Sequence, residues 1–383
     1  MNLSTNLTDS SAVLLCQERA LAGGGKLAVL TLNRASSLNA LDLPMVRALL
    51  DNVQQWYVDP AIRALFIDSA LEKAFCAGGD VRAMRDSALA RSAADQPCVD
   101  AEAFFAAEYQ LDYLLHRFGR PVIVWGHGIV MGGGLGIFAA GSHRIVTATT
   151  RIAMPEITIA LFPDVGAGYF LPRMPGKAGL FCALTAARLN AGDALYAGLA
   201  THRLMHSQKT AVLEALTGLQ LSGDDNGALN NLAVSEVLRQ FAANNTELQP
   251  EPVLQSQQAL IDACCAAEEP QIILNRILAC SAESDWWRDC QANLQAGSPL
   301  TAAVIFRQLQ MTASLSLAEV FQLDYLLATN IVRHPEFAEG VRALLVDKDR
   351  QPRWLYPSVD QVPDSVLNAL FTAPWPVNPL AGL

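Results

Sequence analysis

Residues Pro121 to Gly141, PVIVWGHGIVMGGGLGIFAAG, form a run without formal charge that reaches membrane-spanning length and carries seven glycines. An apolar run of that length either crosses a bilayer or is buried in protein. Glycine costs a helix interior about 1 kcal/mol relative to alanine, and His127 sits in mid-run. A buried strand, a glycine turn and a buried helix account for the run better than a span does, so no membrane association is expected. The chain must then supply a core large enough to hold it. With 383 residues, 51% of them hydrophobic and 17% charged, it has the material, and disorder is excluded.

The flanking pattern sets the fold class. Lys26–Asn33 alternates like a strand, Leu43–Tyr57 has helical spacing, and Ala64–Ser69 is a short apolar strand. Ala101–Arg117 reads as a helix, Pro121–Trp125 as a strand, and MGGGLGIFAAG as the start of a helix. Arg144–Ala148 and Arg151–Ala153 read as further strands. This alternation predicts an α/β core with a largely parallel sheet. From Ser207 onward the spacing is almost purely helical, with 270–296 as one helical segment, and the proline-rich end from Pro352 is expected to wrap the surface. The expected division is 1–205 for the core with the site and 206–383 for a helical region closing the pocket. No internal repeat is expected.

Net charge is −10, which argues against nucleic acid as a partner. The eight cysteines form no C-x-x-C pair and sit in apolar surroundings, as in a reduced, cytoplasmic protein. The start MNLSTNLTDSSAV has neither a basic, apolar leader pattern nor an arginine-rich one, and a cytoplasmic location is expected. There is no GxSxG, HExxH or GxxxxGK[ST] motif, the six histidines are scattered, and Ile137 stands where a GxGxxG pattern needs its last glycine. No metal and no bound organic cofactor are expected.

What stands out chemically is PEITIALFPDVG, Pro155 to Gly166, with Glu156 and Asp164 in an almost wholly apolar segment. A buried carboxylate is costly unless it is paired, hydrogen-bonded or kept for chemistry. Two glycine clusters lie upstream, CAGGD (Cys76–Asp80) and MGGGLG (Met131–Gly136). Bare backbone N–H groups there could stabilise an oxyanion. Each feature has a plainer reading. The clusters could be a turn and a close packing contact. Glu156 could pair with Arg144 or Arg173, Asp164 could cap a helix starting near Gly166, and Glu108 could face solvent. His127 reads as a core histidine bonded to backbone, and Cys76 has no histidine nearby in sequence to activate it.

Taken together, LTLNRASSLNALD (Leu30–Asp42), KAFCAGGD (Lys73–Asp80), GHGIVMGGGLG (Gly126–Gly136) and MPEITIALFPDVGAGYFLPR (Met154–Arg173) resemble the crotonase, or enoyl-CoA hydratase/isomerase, superfamily. With EGVRALLVDKDRQPRW (Glu339–Trp354), they are most similar to its 3-hydroxyisobutyryl-CoA hydrolase branch. The resemblance covers roughly residues 13–357. It implies a spiral of ββα units with two near-perpendicular sheets, a helical C-terminal region, and an acyl-CoA thioester substrate. It implies an oxyanion hole from the N–H groups of Gly79 and Gly133, Glu156 as the catalytic acid and Asp164 as the hydrolase aspartate. Glu108, Gly78, Asp80, Lys73 and Arg82 are expected around the substrate, with Lys73, Arg82 and Arg85 meeting CoA phosphates or lying on a solvated surface. Relatives of this kind often form trimers or hexamers, and the C-terminal extension could cover that surface and leave a monomer.

Two departures matter. Hydratases similar to this carry a second catalytic glutamate where this chain has Gly136, which disfavours hydration. Ala35-Ser36 replaces a frequent Pro-Lys pair, which removes a lysine contact to CoA. The reaction implied is hydrolysis of a short 3-hydroxyacyl-CoA, as in valine catabolism. Glu156 acts as nucleophile or as general base for water, and Asp164 grips the 3-hydroxyl. Hydration or isomerisation on the same scaffold, or a non-catalytic binding protein, are the alternatives.

Overall fold

Three successive turns of chain each lay one strand in a large sheet, one in a small sheet, and then a helix or helical turn. The computed structural model describes residues 12–93, 96–223, 227–281 and 284–383. A hairpin comes first, β1 (Leu14–Ala20) antiparallel to β2 (Lys26–Leu32), followed by α1 (Leu43–Val58). The first turn is β3 (Ile62–Ser69), β4 (Ala74–Cys76) and α2 (Val81–Leu89). After α3 (Val99–His116), the second is β5 (Val122–Gly126), β6 (Ile129–Met131) and α4 (Gly133–Ala139). The third is β7 (His143–Val146), β8 (Arg151–Ala153) and a 3₁₀ turn, Glu156–Ile159. With β9 (His202–Arg203), the large sheet runs β1-β2-β3-β5-β7-β9 and the small one β4-β6-β8. All pairings except β1 with β2 are parallel.

The sequence accounts for these elements locally. Asp42 caps α1, accepting from the Met45 N–H at 2.9 Å, and Pro44 lies in the first turn. Met45, Val46, Leu49, Leu50, Val53 and Trp56 then bury one stripe of α1 at three- and four-residue spacing. Each such side chain contributes roughly 1.5–3 kcal/mol by leaving water, and a charge at Leu49 would break the contact. β3 is buried on nearly every residue because helices cover both faces of the parallel sheet.

Among the described residues the chain after β9 is helical, as expected. The 270–296 segment is two helices, Pro270–Ala279 and Asp285–Ala296, because Ser284 caps the second through the Trp287 N–H. The proline-rich end contains a further helix, Asp364–Leu370, and buries Leu370 and Leu380. One apolar cluster joins the spiral to these helices, from Phe105 and Phe162 to Phe321 and Phe337. A smaller cluster, including Phe66, Trp125 and Leu213, covers the other side of the large sheet.

β1, β4, β6 and β9 are strands that the sequence reading does not include. β4 and β6 have three residues each and run directly into glycine clusters, which hides them, whereas the equally short β8 is followed by none. Pro121–Gly141 becomes β5, β6 and α4, buried as expected with one strand more. No helix among the described residues is long and apolar enough to cross a membrane. The eight cysteines are free.

Candidate active site

β4, β6 and β8 run parallel side by side, so the chain leaves all three at the same end. Gly78-Gly79 follows β4, Gly132-Gly133 follows β6, and Pro155-Glu156 follows β8. These turns line a single cavity of about 570 Å³ together with Glu108 and Asp164.

Glycine is required at the contact between the turns. Gly78 has φ +104° and Gly132 φ +48°, backbone that side chains rarely adopt. A Cβ on Gly132 would lie 3.4 Å from the Gly78 Cα and 3.3 Å from Oε1 of Glu156. A Cβ on Gly133 would stand 2.0 Å from Oε1 of Glu108. The N–H groups of Gly79 and Gly133 donate to no group among the described residues. Gly133 opens α4, where helix amides are unpaired and the helix dipole is positive.

The acids around this point are buried. Glu108, Glu156 and Asp164 are 2%, 4% and 4% exposed. Glu156 pairs with neither candidate arginine: Arg144 donates to the carbonyls of Leu199, Gly141 and Gly198, and Arg173 to that of Tyr169. Oε2 of Glu156 and Oε1 of Glu108 are buried without a hydrogen-bond partner. Burial, then the neighbouring Asp164, pushes the Glu156 carboxyl well above its ordinary range. Glu108 is raised likewise, by burial first and then by Asp164, Asp112 and Glu156. Asp164 does not cap a helix with its side chain. Its Oδ2 accepts from the Tyr109 hydroxyl at 2.6 Å, and its main-chain carbonyl accepts from the Ala167 N–H at 2.8 Å. Burial raises Asp164 to about 6, and the Tyr109 bond opposes that rise.

The remaining expected residues divide. Gly78, Asp80 and Arg82 line the cavity. Asp80 is also occupied structurally, as the cap of α2 and in an ion pair with Arg34 at 3.2 Å. Arg82 donates to the Leu345 carbonyl at 2.6 Å, and Arg85 to that of Ala338 at 3.2 Å. Lys73 is not brought to the cavity: it is exposed and precedes β4, whereas Gly78 and Gly79 follow that strand. His127 is bonded to the Leu71 carbonyl at 2.5 Å. Cys76 is fully buried, and burial pushes its thiol up to about 12, a poor setting for a nucleophile.

Sequence reasoning missed Tyr109, Asp112, Gln308 and Asp324, which stand behind the cavity wall. Asp112 is wholly buried, and both its carboxyl oxygens lack partners. A signal was present. Glu108 and Asp112 are four apart on one helix and share a face. The hexapeptide QLDYLL also occurs twice, at 110–115 and 322–327, a short repeat contrary to expectation. Its two aspartates, Asp112 and Asp324, are both buried in helices that pack together, with the Tyr113 and Phe321 rings 6.2 Å apart. Among the described residues no group of histidines, cysteines and acids could hold a metal ion.

The enoyl-CoA hydratase/isomerase family pattern matches residues 27–371. The chain is 37% identical over 355 residues to 3-hydroxyisobutyryl-CoA hydrolase, mitochondrial, of Xenopus tropicalis, covering 92% of this chain and 88% of that protein. It is 34% identical over 366 residues to the Homo sapiens protein of the same name, covering 95% and 89%. Among solved structures it resembles a carnitinyl-CoA dehydratase from Mycobacterium thermoresistibile, with TM-score 0.80, 30% identity and coverage of 95% and 97%. An enoyl-CoA hydratase from Rhodobacter sphaeroides 2.4.1 gives TM-score 0.78, 28% identity and coverage of 94% and 98%. A matched pattern over most of the chain, a spiral of ββα turns and glycine turns meeting a buried glutamate agree: the chain belongs to the enoyl-CoA hydratase/isomerase family.

Proposed function

We propose that this protein is an acyl-CoA thioester hydrolase that releases CoA from a short 3-hydroxyacyl-CoA, with 3-hydroxyisobutyryl-CoA as the substrate. The observation that carries the reading is the meeting of two unpartnered main-chain amides, Gly79 and Gly133, with Glu156 around one cavity. The names of the vertebrate relatives support the same substrate.

The thioester oxygen sits between the two amides. They act most strongly when that oxygen becomes an anion, and losing one donor of this kind costs about 3 kcal/mol. Glu156 attacks the carbonyl carbon to give a mixed anhydride, or takes a proton from water that attacks it. In the first route the C–S bond breaks as the anhydride forms, and water then cleaves the anhydride to the free acid and the Glu156 carboxylate; in the second the water adduct collapses with loss of the C–S bond. In both, a proton that comes from the water passes to the departing sulfur, so CoA leaves as the thiol. Asp164 has one oxygen held by Tyr109, and its Oδ1 accepts the substrate's 3-hydroxyl. A site built to bond a hydroxyl rejects analogues lacking it. Glu108 holds the acyl group or Glu156, and Arg82 stands at the CoA end. CoA enters as part of the substrate, and the proposal needs no metal or other cofactor.

Hydration is the rival reading, favoured by the names of the structural neighbours. The crowding of position 136 by Asp112 and Val165 counts against it. Free CoA release from a panel of short acyl-CoAs, with and without a 3-hydroxyl, tests the proposal. Hydration of crotonyl-CoA without thiol release would overturn it. The expected location is cytoplasmic, although the vertebrate relatives are named mitochondrial; fractionation decides. Light scattering separates a trimer or hexamer from a monomer.

A further inference from the structure

The segment Pro163–Gly166 carries Asp164, and its backbone is unusual. Val165 has φ +51°, an outlying conformation for a β-branched residue. Such backbone persists only where its surroundings over-determine it, and it gathers at functional sites. Gly166 follows at φ +80°.

The surroundings come from two helices far along the chain. In the helix Pro299–Thr312, the Gln308 amide donates to the Pro163 carbonyl at 2.8 Å and to Oδ1 of Asp324 at 3.2 Å. In the helix Leu317–Arg333, Oδ2 of Asp324 accepts from the Gly166 N–H at 2.9 Å. The backbone is thus gripped one residue before Asp164 and two residues after it. Gln308 and Asp324 are 1% and 0% exposed, and neither lines the cavity. Among the described residues no arginine or lysine forms an ion pair with Asp324, and the charged group that acts on it is Asp164, another acid. Keeping a buried carboxyl there is costly, and the grip on Gly166 is what it offers in return.

We propose that Gln308 and Asp324 are positioning residues that clamp the strained Pro163–Gly166 backbone and so aim Asp164 at the substrate's 3-hydroxyl. The proposal rests on the role given to Asp164 above. It predicts a particular failure: without the clamp, thioester cleavage continues while preference for hydroxylated acyl groups is lost. The helical C-terminal region then supplies selectivity as well as cover.

The test compares kcat/KM for 3-hydroxyisobutyryl-CoA with that for isobutyryl-CoA in the full-length protein. Gln308→Leu keeps the volume and removes the donor. It should lower the ratio at least tenfold while isobutyryl-CoA cleavage stays within about threefold. Asp324→Ala should do the same. An unchanged ratio in folded Gln308→Leu or Asp324→Ala overturns the clamp, as does equal loss on both substrates. Asp164→Asn run beside them separates the two ideas. If it hurts both substrates equally, the role of Asp164 is wrong. If it is selective while Gln308→Leu is not, only the clamp fails.

Discussion

A Cβ on Gly136 would stand 2.4 Å from Oδ2 of Asp112 and 2.7 Å from the Cβ of Val165. Helix α4 and the Asp112 carboxyl pack together only because residue 136 has no side chain. Restoring the glutamate that related hydratases carry should therefore fail as a conversion. Gly136→Glu is expected to lower the melting temperature by several degrees, as overpacking costs roughly 1–3 kcal/mol, and to give no crotonyl-CoA hydration. Scanning fluorimetry and the loss of enoyl absorbance check both.

Glu156→Gln keeps the shape and removes the base or nucleophile. CoA release should fall about 10²–10⁴-fold, the usual worth of such a group, with an unchanged circular dichroism spectrum. Near-native turnover in a folded variant would sink the assignment.

Asp164 accepts a hydroxyl more strongly when ionised, and its carboxyl is raised to about 6. As pH falls through that value the group takes up a proton and the advantage of hydroxylated substrates should shrink. The ratio of kcat/KM for 3-hydroxyisobutyryl-CoA to isobutyryl-CoA should therefore drop from pH 8 to pH 5. Asp164→Asn should flatten that profile.

Asp112 is raised well above its ordinary 3.8 by burial, then by Asp164 and Asp324. Its sign is opposite to that of a salt-bridged acid. Below the unfolded value both states are protonated and nothing is lost. As pH rises from there toward the folded value, the unfolded chain releases its proton first and the folded state loses stability. Asp112→Asn removes that loss, so its melting temperature should exceed the parent's by more at pH 8 than at pH 5. A gap that is constant across pH would refute the reading.

Arg82 links α2 to the cavity wall through the Leu345 carbonyl. Arg82→Ala should raise KM for acyl-CoA several-fold with little change in kcat, in keeping with about 1 kcal/mol at most for a single exposed charge. A large kcat loss would mean that the bond to Leu345 shapes the site itself.

Much of this was readable in the chain. The order of β2, α1, β3, α3, β5 and α4 follows from apolar spacing, and the glycine turns announce themselves by composition. Glu156 and Asp164 stand out because acids are rare in such apolar company. β4 and β6 escaped because each is three residues long and runs into a glycine cluster, whereas β8, equally short, does not. Lys73 was misplaced because nearness in sequence ignores which end of a strand faces the cavity. Asp112 and Asp324 were hidden for another reason. Each lies in a leucine-rich helix, and whether its acid meets water or another acid is decided by packing between segments some two hundred residues apart.

The turns bearing Gly79, Gly133 and Glu156 leave neighbouring rungs of one ladder, β4-β6-β8. Rungs of such a ladder are about 4.8 Å apart, so the distance from donor to donor and from donor to acid has a fixed gauge. A ladder slips only by whole residues, and a slip of one residue turns every side chain of the strand to the opposite face. Chemistry mounted this way tolerates no gradual adjustment from within. A lineage that needs a new acyl preference must find it in the elements leaning on the spiral, while the gauge itself is inherited intact.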